Sequence, residues 1–423
     1  MLHQQLGSGQ MHDRVRAIPA GSNVFVAGFG AAPTALTEAL VAFGQDGGRF
    51  DVLTSVMLPQ ETPFARWSPA AGVIHLLYVA QSMTRGVEAG WADPLPISLS
   101  SVPGWIDAGR LPIEVACIEV TPPDSSGRCH LGLSVDVTLE AVRAADLVLA
   151  EVNRNLPRVP GSGWIDVADI DASLEVDRAL PTFTPPRPER VDRRIADHVA
   201  ALVPMGATIQ LGIGGVLEAI ADALCSHHGL SIRSGLLTDG LMRMIESGAV
   251  TSGNAPDGSN RSVATSVIGS QALHRFVDGN DGIRLEPVRR THDIASLGAL
   301  PCFVAVNSVW EVALDGAVNA ERRGARSMGG VGGQVDFVVG AALSDTGRSI
   351  IALRSTAANG AVSRIVPFLG EATPVTTPRC FADWVVTEHG AADLGGLGVA
   401  ERAQALIAIA DPRHRRELAR SVG

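Results

Sequence analysis

The first half of the chain alternates short apolar runs with stretches whose apolar residues recur at helical spacing. The run at residues 24–27 is closed by Gly28 and Gly30, and the runs are rich in the branched residues that buried strands use. We predict strands at residues 24–27, 73–79, 113–120 and 147–152, and helices at residues 35–43 and 138–145. Strands separated by helices in this way predict α/β units around a largely parallel sheet.

The pattern stops at residues 180–190 and then restarts. This segment, LPTFTPPRPER, carries four prolines in eleven residues, so it can continue neither a helix nor a central strand. After it we predict a helix at 191–202, a strand at 208–211, a glycine turn at 212–215 and a helix at 217–224. The organisation that follows is an N-terminal α/β domain at 1–180, a linker at 181–190 and a C-terminal α/β domain at 191–423.

The two halves share one local pattern. Gly28-x-Gly30 is followed by Leu36 and Leu40, six and ten residues after the second glycine, and the turn that begins at Gly212 is followed by apolar residues at the same offsets. A strand, a G-x-G turn and a helix with matched apolar positions predict two related α/β domains with largely parallel sheets.

Composition narrows the class of protein. The 423 residues are 46% hydrophobic and 18% charged, which is enough apolar surface for a large core and excludes general disorder. The formal net charge of −10 argues against a nucleic-acid surface. The sequence contains no lysine, so all 34 basic residues are arginine, and Schiff-base chemistry on a lysine is excluded.

The cysteines and the hydropathy profile predict a location. Five widely scattered cysteines without a C-x-x-C pair make a disulfide scaffold or a zinc site improbable, and we expect no metal and a reducing cytoplasm. No apolar run is long enough to span a membrane, and the first 21 residues lack the apolar core of a secretory signal, so we expect no membrane association.

Two glycine motifs are candidates for ligand binding. The turn Gly212-Ile213-Gly214-Gly215 would let a backbone approach an anion such as a pyrophosphate at a helix start, although a plain chain reversal would also use it. The loop Gly329-Gly330-Val331-Gly332-Gly333-Gln334 could present consecutive N–H groups to an oxyanion, and the alternative is a flexible hairpin turn.

Two further clusters have simpler interpretations. Residues 289–293, Arg-Arg-Thr-His-Asp, could bind cofactor phosphates, but a solvated charged loop fits as well. His227 and His228 follow a helix end, where a cation complements the helix dipole, so we interpret them as structural. The sequence holds no H-E-x-x-H, G-x-S-x-G or P-loop motif.

Several long strings, in order along nearly the whole chain, carry a family resemblance. In the N-terminal half they are VFVAGFGAAPTALTEAL at 24–40 and AEVNRNLP at 150–157. In the C-terminal half they are IQLGIGG at 209–215, VNSVWEVAL at 306–314, GVGGQVDF at 330–337, SRIVP at 363–367 and VVTEHGAADLGGLGVAERAQAL at 385–406. The chain resembles the acetyl-CoA hydrolase/transferase family, in particular its 4-hydroxybutyrate CoA-transferase-like branch.

The resemblance implies a fold, a substrate and a mechanism. It implies two α/β domains of common origin with an acyl-CoA site between them, usually in a homodimer. Family CoA-transferases use a glutamate that attacks the thioester and forms a glutamyl-CoA thioester, from which an acceptor carboxylate takes CoA. The resemblance places Gly330, Gly332, Gly333 and Gln334 beside the reacting thioester. It places the CoA contacts at Gln210, Gly212, Gly214, Gly215, Asn307 and Arg354.

The chain departs from the family at the nucleophile. The family glutamate lies in a segment of the form H-S-E-M, two further residues and D-G, and the aligned segment here is RSGLLTDG at 233–240. Asp239-Gly240 and Ser234 keep the register without a gap, so the nucleophile falls on Gly235 and the preceding histidine is Arg233. Glycine has no side chain, so a glutamyl-CoA intermediate cannot form at this position.

Three explanations stay open at this point. Another carboxylate, Glu218, Glu246 or Glu311, could replace the nucleophile. Alternatively, water or a bound acceptor could attack the thioester directly while the glycine loop polarises its carbonyl and Arg233 holds an acidic group. The chain could also be a CoA-binding protein without catalysis.

We take direct attack as the working hypothesis, giving hydrolysis or acyl transfer to water, a carboxylate or another acceptor. The acyl group is not encoded in any local string, because acyl pockets are assembled by the fold.

Overall fold

The computed structural model describes residues 3–55, 62–251, 261–324 and 326–421, which form two compact units. The first unit comprises Met1–Phe183, Val263–Thr291 and Ser327–Gly332, and the second comprises Thr184–Ser262, His292–Arg326 and Gly333–Gly423. The chain therefore first passes from one unit to the other inside the proline-rich segment at 181–190. Two later segments return to the first unit, and one of these return points divides the glycine loop between Gly332 and Gly333.

The described residues form helices in both halves of the chain. They are α1 (Ser8–Arg16), α2 (Thr34–Gln45), α3 (Thr84–Glu88), α4 (Val102–Asp107), α5 (Thr138–Ala144), α6 (Arg190–Leu202), α7 (Gly215–Leu224), α8 (Asp239–Glu246), α9 (Gln271–Val277), α10 (Val288–Thr291), α11 (Ile294–Gly298), α12 (Gln334–Leu343), α13 (Val399–Ile409) and α14 (Pro412–Arg420).

The strands of the N-terminal half are β1 (Gln4–Leu6), β2 (Ser22–Val26), β3 (Phe50–Thr54), β4 (Ile74–Leu76), β5 (Ala92–Pro94), β6 (Val115–Val120), β7 (Arg128–His130), β8 (Leu147–Asn153), β9 (Trp164–Asp166) and β10 (Ala172–Val176). Those of the C-terminal half are β11 (Thr208–Leu211), β12 (Ser231–Ile232), β13 (Leu236–Leu237), β14 (Ser262–Ala264), β15 (Ser266–Val267), β16 (Ile283–Leu285), β17 (Phe303–Ser308), β18 (Glu311–Ala313), β19 (Val318–Asn319), β20 (Arg322–Arg323), β21 (Arg326–Ser327), β22 (Arg348–Ala352), β23 (Thr356–Ala357), β24 (Val362–Ser363), β25 (Ile365–Val366), β26 (Trp384–Thr387) and β27 (Gly390–Asp393).

An all-parallel sheet organises the first unit. Its strand order is β1-β10-β8-β6-β2-β3-β4-β5. Every residue of β6 is buried, as expected for a central parallel strand covered on both faces. The direction in which strands are added reverses between β2 and β6. From β2 the chain passes through α2 to β3 on one side of β2, and the later strand β6 pairs with the other side of β2.

The second unit repeats this arrangement. Its main sheet has the order β12-β11-β17-β22-β26-β27, parallel except for the last pair. The series β3-β2-β6-β8-β10 of the first unit matches β12-β11-β17-β22-β26 of the second, both in space and in chain order. The predicted fold class, two related α/β domains with largely parallel sheets, is confirmed.

Most of the predicted elements lie where the sequence pattern placed them. The strand predicted at 208–211 coincides with β11, and the helix predicted at 217–224 lies within α7. The strand predicted at 73–79 is shorter, since only Ile74–Leu76 pairs as β4.

Two classes of feature are absent from the part of the chain that the structure describes. None of the described helices combines the length and apolarity that a bilayer span requires. The same described residues contain no group of three or more His, Cys, Asp or Glu side chains arranged to hold a metal ion.

Candidate functional site

The carboxyl ends of β11 and β17 meet at the point where strand order reverses in the second unit. At this edge Gln210 and Asn307 exchange two amide hydrogen bonds, with N–O distances of 3.3 and 3.2 Å, and both side chains are buried. In parallel α/β sheets such a reversal opens a crevice at the carboxyl ends of the strands, where ligands bind. The two amides form the polar floor of this edge.

The predicted glycine turn follows β11 directly and opens α7. Gly214 caps the helix with φ +125°, and a Cβ placed on it would meet no atom within 4 Å, so its Cα faces open space. A Cβ on Gly212 would lie 3.5 Å from Asn307 Oδ1, and one on Gly215 would lie 3.3 Å from the Pro186 carbonyl oxygen. No side chain caps α7, so the N–H groups of its first turn are available to an anion.

Arg354 follows the end of β22 and forms a forked ion pair. Its Nε and Nη2 donate to the two carboxylate oxygens of Asp192 at 2.7 Å, and Nη2 lies 3.1 Å from Glu189. The hydrogen bond with Asp192 raises the pKa of Arg354. The guanidinium thus ties β22 to the start of α6, and a phosphate at Arg354 would share it with these carboxylates.

The first part of the glycine loop, residues 329–332, belongs to the first unit. A Cβ on Gly330 would lie 3.2 Å from the Cα of Tyr78, and Gly332 has φ +54° with the Tyr78 ring beside it. The carbonyl oxygen of Gly332 accepts a hydrogen bond from Leu99 N at 3.1 Å. Both positions favour glycine, because one approaches a neighbouring backbone closely and the other is left-handed.

The second part of the loop begins α12 in the second unit. Gly333 is the N-cap residue and supplies no side chain, so the amides of the first helical turn are not covered by a cap. Gln334 Nε2 donates to Thr377 Oγ1 at 2.9 Å, which anchors the helix start. A flexible hairpin was the alternative interpretation of this loop. In the structure the loop leads into the N-terminus of α12 instead.

Gly235, the position aligned with the family nucleophile, lies between β12 and β13. The three atoms nearest to a Cβ built on it are His292 Nε2 at 3.2 Å, His292 Cε1 at 3.4 Å and Phe337 Cε2 at 3.4 Å. A Cβ on Gly333 would lie 2.4 Å from the same Nε2. The imidazole of His292 therefore contacts both glycines, and we call Gly235, His292, Gly333 and Phe337 the imidazole cluster.

The imidazole in this cluster is neutral. His292 is 1% exposed, and its ring lies against Phe337 with a centroid distance of 4.6 Å. Burial lowers the pKa of His292 to about 3, so the ring carries no charge at neutral pH.

The carboxylates considered as replacements lie in other surroundings. Glu218 accepts from Arg243 Nη2 at 2.9 Å, and burial raises its pKa. Glu311 accepts from Asn319 Nδ2 at 3.2 Å, and Glu246 is exposed at the end of α8. None of the three supplies the nearest atoms around Gly235.

Arg233 precedes this position by two residues. Its Nη1 donates to the carbonyl oxygens of Ile232 and Arg261 at 3.1 and 2.8 Å, which holds the guanidinium close to the backbone. The side chain is partly exposed. Its suggested contact with an acidic acyl group or acceptor stays a prediction.

Sequence reasoning did not predict the buried position of His292. The segment at 289–293 was considered only as a phosphate-binding or solvated loop. In the structure Arg289 pairs with Asp107 and Glu140, and His292 turns inward. One weak signal was available: Asp293 caps α11, and the residue before a helix cap often packs against the core.

Comparison with known proteins identifies the chain's relatives. The acetyl-CoA hydrolase/transferase N-terminal domain model matches residues 10–185, and the C-terminal domain model matches residues 269–422. The chain is 39% identical over 342 residues to 4-hydroxybutyrate coenzyme A transferase of Clostridium kluyveri, covering 81% of this chain and 80% of that protein. It is 35% identical over 345 residues to succinyl-CoA:cyclohexane-1-carboxylate CoA transferase of Geobacter metallireducens, covering 82% and 79%.

One solved structure has a similar fold over nearly the whole chain. The crystal structure of RipA from Yersinia pestis superposes with a TM-score of 0.89 at 30% sequence identity, covering 99% of this chain and 96% of that one.

Proposed function

The chain belongs to the acetyl-CoA hydrolase/transferase family, and we propose that it is an enzyme that processes an acyl-CoA thioester by direct attack on the thioester carbonyl. The attacking group is water or a bound acceptor, and no glutamyl-CoA intermediate forms. The products are a free acid and CoA, or an acylated acceptor and CoA.

One observation carries this proposal. The position aligned with the family nucleophile is Gly235, and among the described residues the three atoms nearest to a Cβ there belong to an imidazole and a phenyl ring. A mixed anhydride needs a carboxylate within bonding distance of the thioester. Because Glu218 and Glu311 are engaged by other side chains and Glu246 is exposed, direct attack is the route that these residues support best.

We assign CoA binding to the edge formed by β11 and β17. The uncapped start of α7 and the glycine turn at Gly212, Gly214 and Gly215 suit the pyrophosphate, because backbone N–H groups and the helix dipole favour an anion. The amide pair of Gln210 and Asn307 offers donors and acceptors beside it. Arg354 is already paired with Asp192 and Glu189, so a phosphate there would share its guanidinium with these carboxylates.

We assign stabilisation of the thioester oxygen to the loop Gly330–Gln334. Glycines allow close approach of the backbone, and the first turn of α12 directs N–H groups away from the helix. In hydrolysis the water oxygen bonds to the carbonyl carbon, the carbonyl oxygen becomes an oxyanion, and its collapse breaks the C–S bond. CoA leaves as a thiolate that takes up one of the two protons of the water, and the other proton is released because the acid product is ionised at neutral pH.

The state and location of the enzyme are part of the proposal. We propose a homodimer in the cytoplasm that contacts neither nucleic acid nor membrane and that needs no metal. The net charge of −10 and the scattered cysteines support this, as does the family resemblance. Light scattering on the purified protein tests the dimer, and activity that survives chelator treatment tests the independence from metal.

The experiment is a panel of acyl-CoAs incubated with the enzyme, with and without acetate, and separated by chromatography to quantify free CoA and new thioesters. We expect free CoA to appear without acetate. New thioester that forms only with a carboxylate, together with a borohydride-reduced glutamate found by mass spectrometry, would establish conventional transfer instead. Tight CoA binding with neither product would establish a non-catalytic binding protein.

Matched variants locate any displaced nucleophile. Glu218→Gln tests the buried candidate and Glu311→Gln the half-buried one, and Glu246→Gln on the exposed end of α8 is their control. We expect all three to keep at least about half of the wild-type rate, because none of these carboxylates supplies the atoms nearest to Gly235. The absence of lysine helps here, since no side-chain amine competes for the acyl group in the mass spectrum.

A further inference from the structure

Resting on the proposed function, we propose that Arg323 and Arg364 bind the phosphate monoester that CoA carries on the 3′ oxygen of its ribose. Arg364 lies between β24 and β25, and Arg323 is the last residue of β20. Both belong to the second unit, which also contains the edge to which we assign CoA binding. We call Arg323, Arg364 and the neighbouring Trp310 the arginine subsite.

The first argument is the place at which the backbone holds Arg364. Its N–H donates to the Ser355 carbonyl oxygen at 2.9 Å, and its own carbonyl oxygen accepts the N–H of Val312 at 2.9 Å. Ser355 comes shortly after the end of β22 and Val312 shortly after the end of β17, and these two strands are parallel neighbours. Arg364 is therefore fixed just beyond the carboxyl edge at which Asn307 lies.

The second argument is that the guanidinium of Arg364 is available to a ligand. Its Cζ lies over the ring of Trp310, 5.7 Å from the centroid. Within the described ranges, no side chain forms an ion pair or a hydrogen bond with this guanidinium. A guanidinium stacked on an aromatic face keeps its N–H groups at its edge, where they can donate to an oxyanion.

The third argument is the excess of positive charge around this guanidinium. Burial lowers the pKa of Arg364, and the charges of Arg323 and Arg354 lower it further, each by more than Glu388 or Glu311 raises it. Cations that face one another in a partly buried place repel, and an anion bound between them removes that repulsion.

The acids near Arg364 are held by other donors. Glu388 accepts the backbone N–H and the hydroxyl of Ser355, both at 2.8 Å, and Glu311 accepts from Asn319 Nδ2 at 3.2 Å. Arg354 differs from Arg364, because its fork is already engaged by Asp192. The donors left for an external anion are therefore those of Arg364 and of Arg323, which is exposed on β20.

The chemistry of two guanidiniums suits a phosphate monoester. Such a group carries a charge of about −1.5 to −2 at neutral pH and offers three acceptor oxygens, so it can take a forked contact from each arginine.

In CoA the single phosphate of this kind is on the 3′ oxygen of the ribose, whose 5′ oxygen carries the pyrophosphate. We assign the pyrophosphate to the turn after β11. Strand β17 separates β11 from β22, so the ends of these two strands are about 10 Å apart. An arginine side chain is about 6 Å long, so it can reach a 3′-phosphate from the end of β22 while the pyrophosphate lies at the turn.

The test compares CoA with 3′-dephospho-CoA by calorimetric titration. We expect wild type to bind CoA about 10- to 100-fold more tightly, and Arg364→Met to lose most of that preference while its affinity for dephospho-CoA stays within about twofold. Arg364→Lys keeps the charge without the fork and should retain part of the preference. Arg416→Met is the matched control, because it removes one positive charge from an exposed position of α14 in the same unit.

Arg323→Met guards against a folding defect. Arg323 is exposed, so its loss leaves the packing of Trp310 and Arg364 in place, and we expect it to reduce the preference for CoA about three- to tenfold.

A second measurement observes the phosphate itself. The 3′-phosphate of bound CoA has a ³¹P resonance separate from those of the pyrophosphate, and its titration gives the second pKa of the monoester. We expect this pKa to fall by about one unit on binding to wild type, because nearby cations favour the dianion, and to stay near its value of about 6 in Arg364→Met.

The outcomes separate this inference from the function on which it rests. Equal affinity of wild type for CoA and dephospho-CoA, or equal losses for both ligands in Arg364→Met, would overturn the inference. So would a loss in Arg364→Met that is confined to acyl-CoAs with an acidic acyl group, since the arginines would then bind that carboxylate. A trapped glutamate in wild type would end the proposal of direct attack but leave the measured preference for the 3′-phosphate, and its dependence on Arg364, in support of the subsite.

Discussion

The two units build the same strand order but place opposite kinds of group at the carboxyl edge where that order reverses. Val26 and Gln210 each lie two residues before the first glycine of their G-x-G turn, and they pair with Cys117 and Ala305 on the next strand. Glu119 and Asn307 each lie two residues after these partners. Glu119 on β6 therefore corresponds to Asn307 on β17. The second unit has a neutral amide pair at this edge. The first unit has a buried acid.

That acid is part of an ionic cluster. Glu119 pairs across the sheet with Glu151, both side chains have no exposed surface, and Arg178 lies 2.5 Å from the first and 3.6 Å from the second. Glu151 also accepts the N–H of Leu36 in the first turn of α2, where an anion would otherwise bind. The protein's own carboxylates thus occupy the position that corresponds to the CoA site we propose in the second unit.

The glycine turns differ in the same sense. A Cβ on Gly30 would lie 2.8 Å from Leu133 Cδ1, so this turn is packed against side chains, whereas Gly214 faces open space. The same edge of the fold is therefore closed by internal packing in the first unit, and in the second unit it is the edge to which we assign CoA binding.

The largest expected effect comes from removing the cation of the ionic cluster. Arg178→Met leaves two buried carboxylates without a counter-ion, and we expect a loss of about 2 to 3 kcal/mol, below the full cost of breaking a buried pair because Arg178 is 28% exposed. Hydrogen exchange of peptides spanning β6 and β8 measures the local free energy of opening. This readout does not require the two units to unfold together.

Arg154→Met is the control for this variant. Arg154 pairs with Asp177 at 3.9 Å and both side chains are about two-thirds exposed, so its loss should change protection by less than about 0.5 kcal/mol. Equal effects of the two substitutions would mean that the ionic cluster is not what closes the edge in the first unit.

A matched pair of alanine substitutions tests the two glycine turns. Gly30→Ala should destabilise the first unit by about 1 to 3 kcal/mol through overpacking against Leu133. Gly212→Ala meets Asn307 only at 3.5 Å, so stability should hold while CoA affinity falls about tenfold. Calorimetric melting and CoA titration of both variants measure the two effects, and a loss of CoA affinity in Gly30→Ala with a normal melt would reverse our assignment of the edges.

The two units should also respond to pH in opposite directions. Burial raises the pKa of Glu119 to about 7, so its contribution to stability is present below the unfolded pKa of 4.5 and is lost as pH rises through 7. Burial lowers the pKa of His292 to about 3, so its contribution is present above 6.5 and is lost as pH falls toward 3.

Glutamine variants isolate these two contributions. Relative to wild type, Glu119→Gln should melt at a higher temperature at pH 8.5 and nearly unchanged at pH 4.5. His292→Gln should gain relative stability at pH 4.5 and not at pH 8.5. We expect differences of a few degrees in calorimetric scans. If both variants respond to pH in the same direction, the charge states assigned to the two sites are wrong.

The sequence predicts the frame of this comparison but not its chemistry. The matched offsets after Gly30 and Gly214 predicted two related domains, because a turn and a helix face are local patterns. The ionic cluster was not predicted, since Glu119, Glu151 and Arg178 meet only when separate segments are folded together. One signal was present: Glu119 interrupts an apolar strand, and a charge inside a buried strand requires partners. His292 was missed for the same reason, because its contacts with Gly235 and Gly333 connect distant segments.

The smallest effect we expect is a gain of activity at Gly235. From sequence alone, Gly235→Glu should create CoA transfer, but the structure shows that even its Cβ would contact His292 and Phe337 at 3.2 to 3.4 Å. The carboxylate therefore needs the space that the imidazole fills.

We expect the single variant to remain without transfer activity and the double variant Gly235→Glu/His292→Ala to show weak transfer to acetate, with a borohydride-reducible adduct at residue 235. His292→Ala alone, which opens the space without adding the carboxylate, is the control. Transfer by the single variant at the same rate as by the double variant would show that His292 does not occupy the nucleophile's place, and the correspondence between the imidazole and the missing glutamate would be lost.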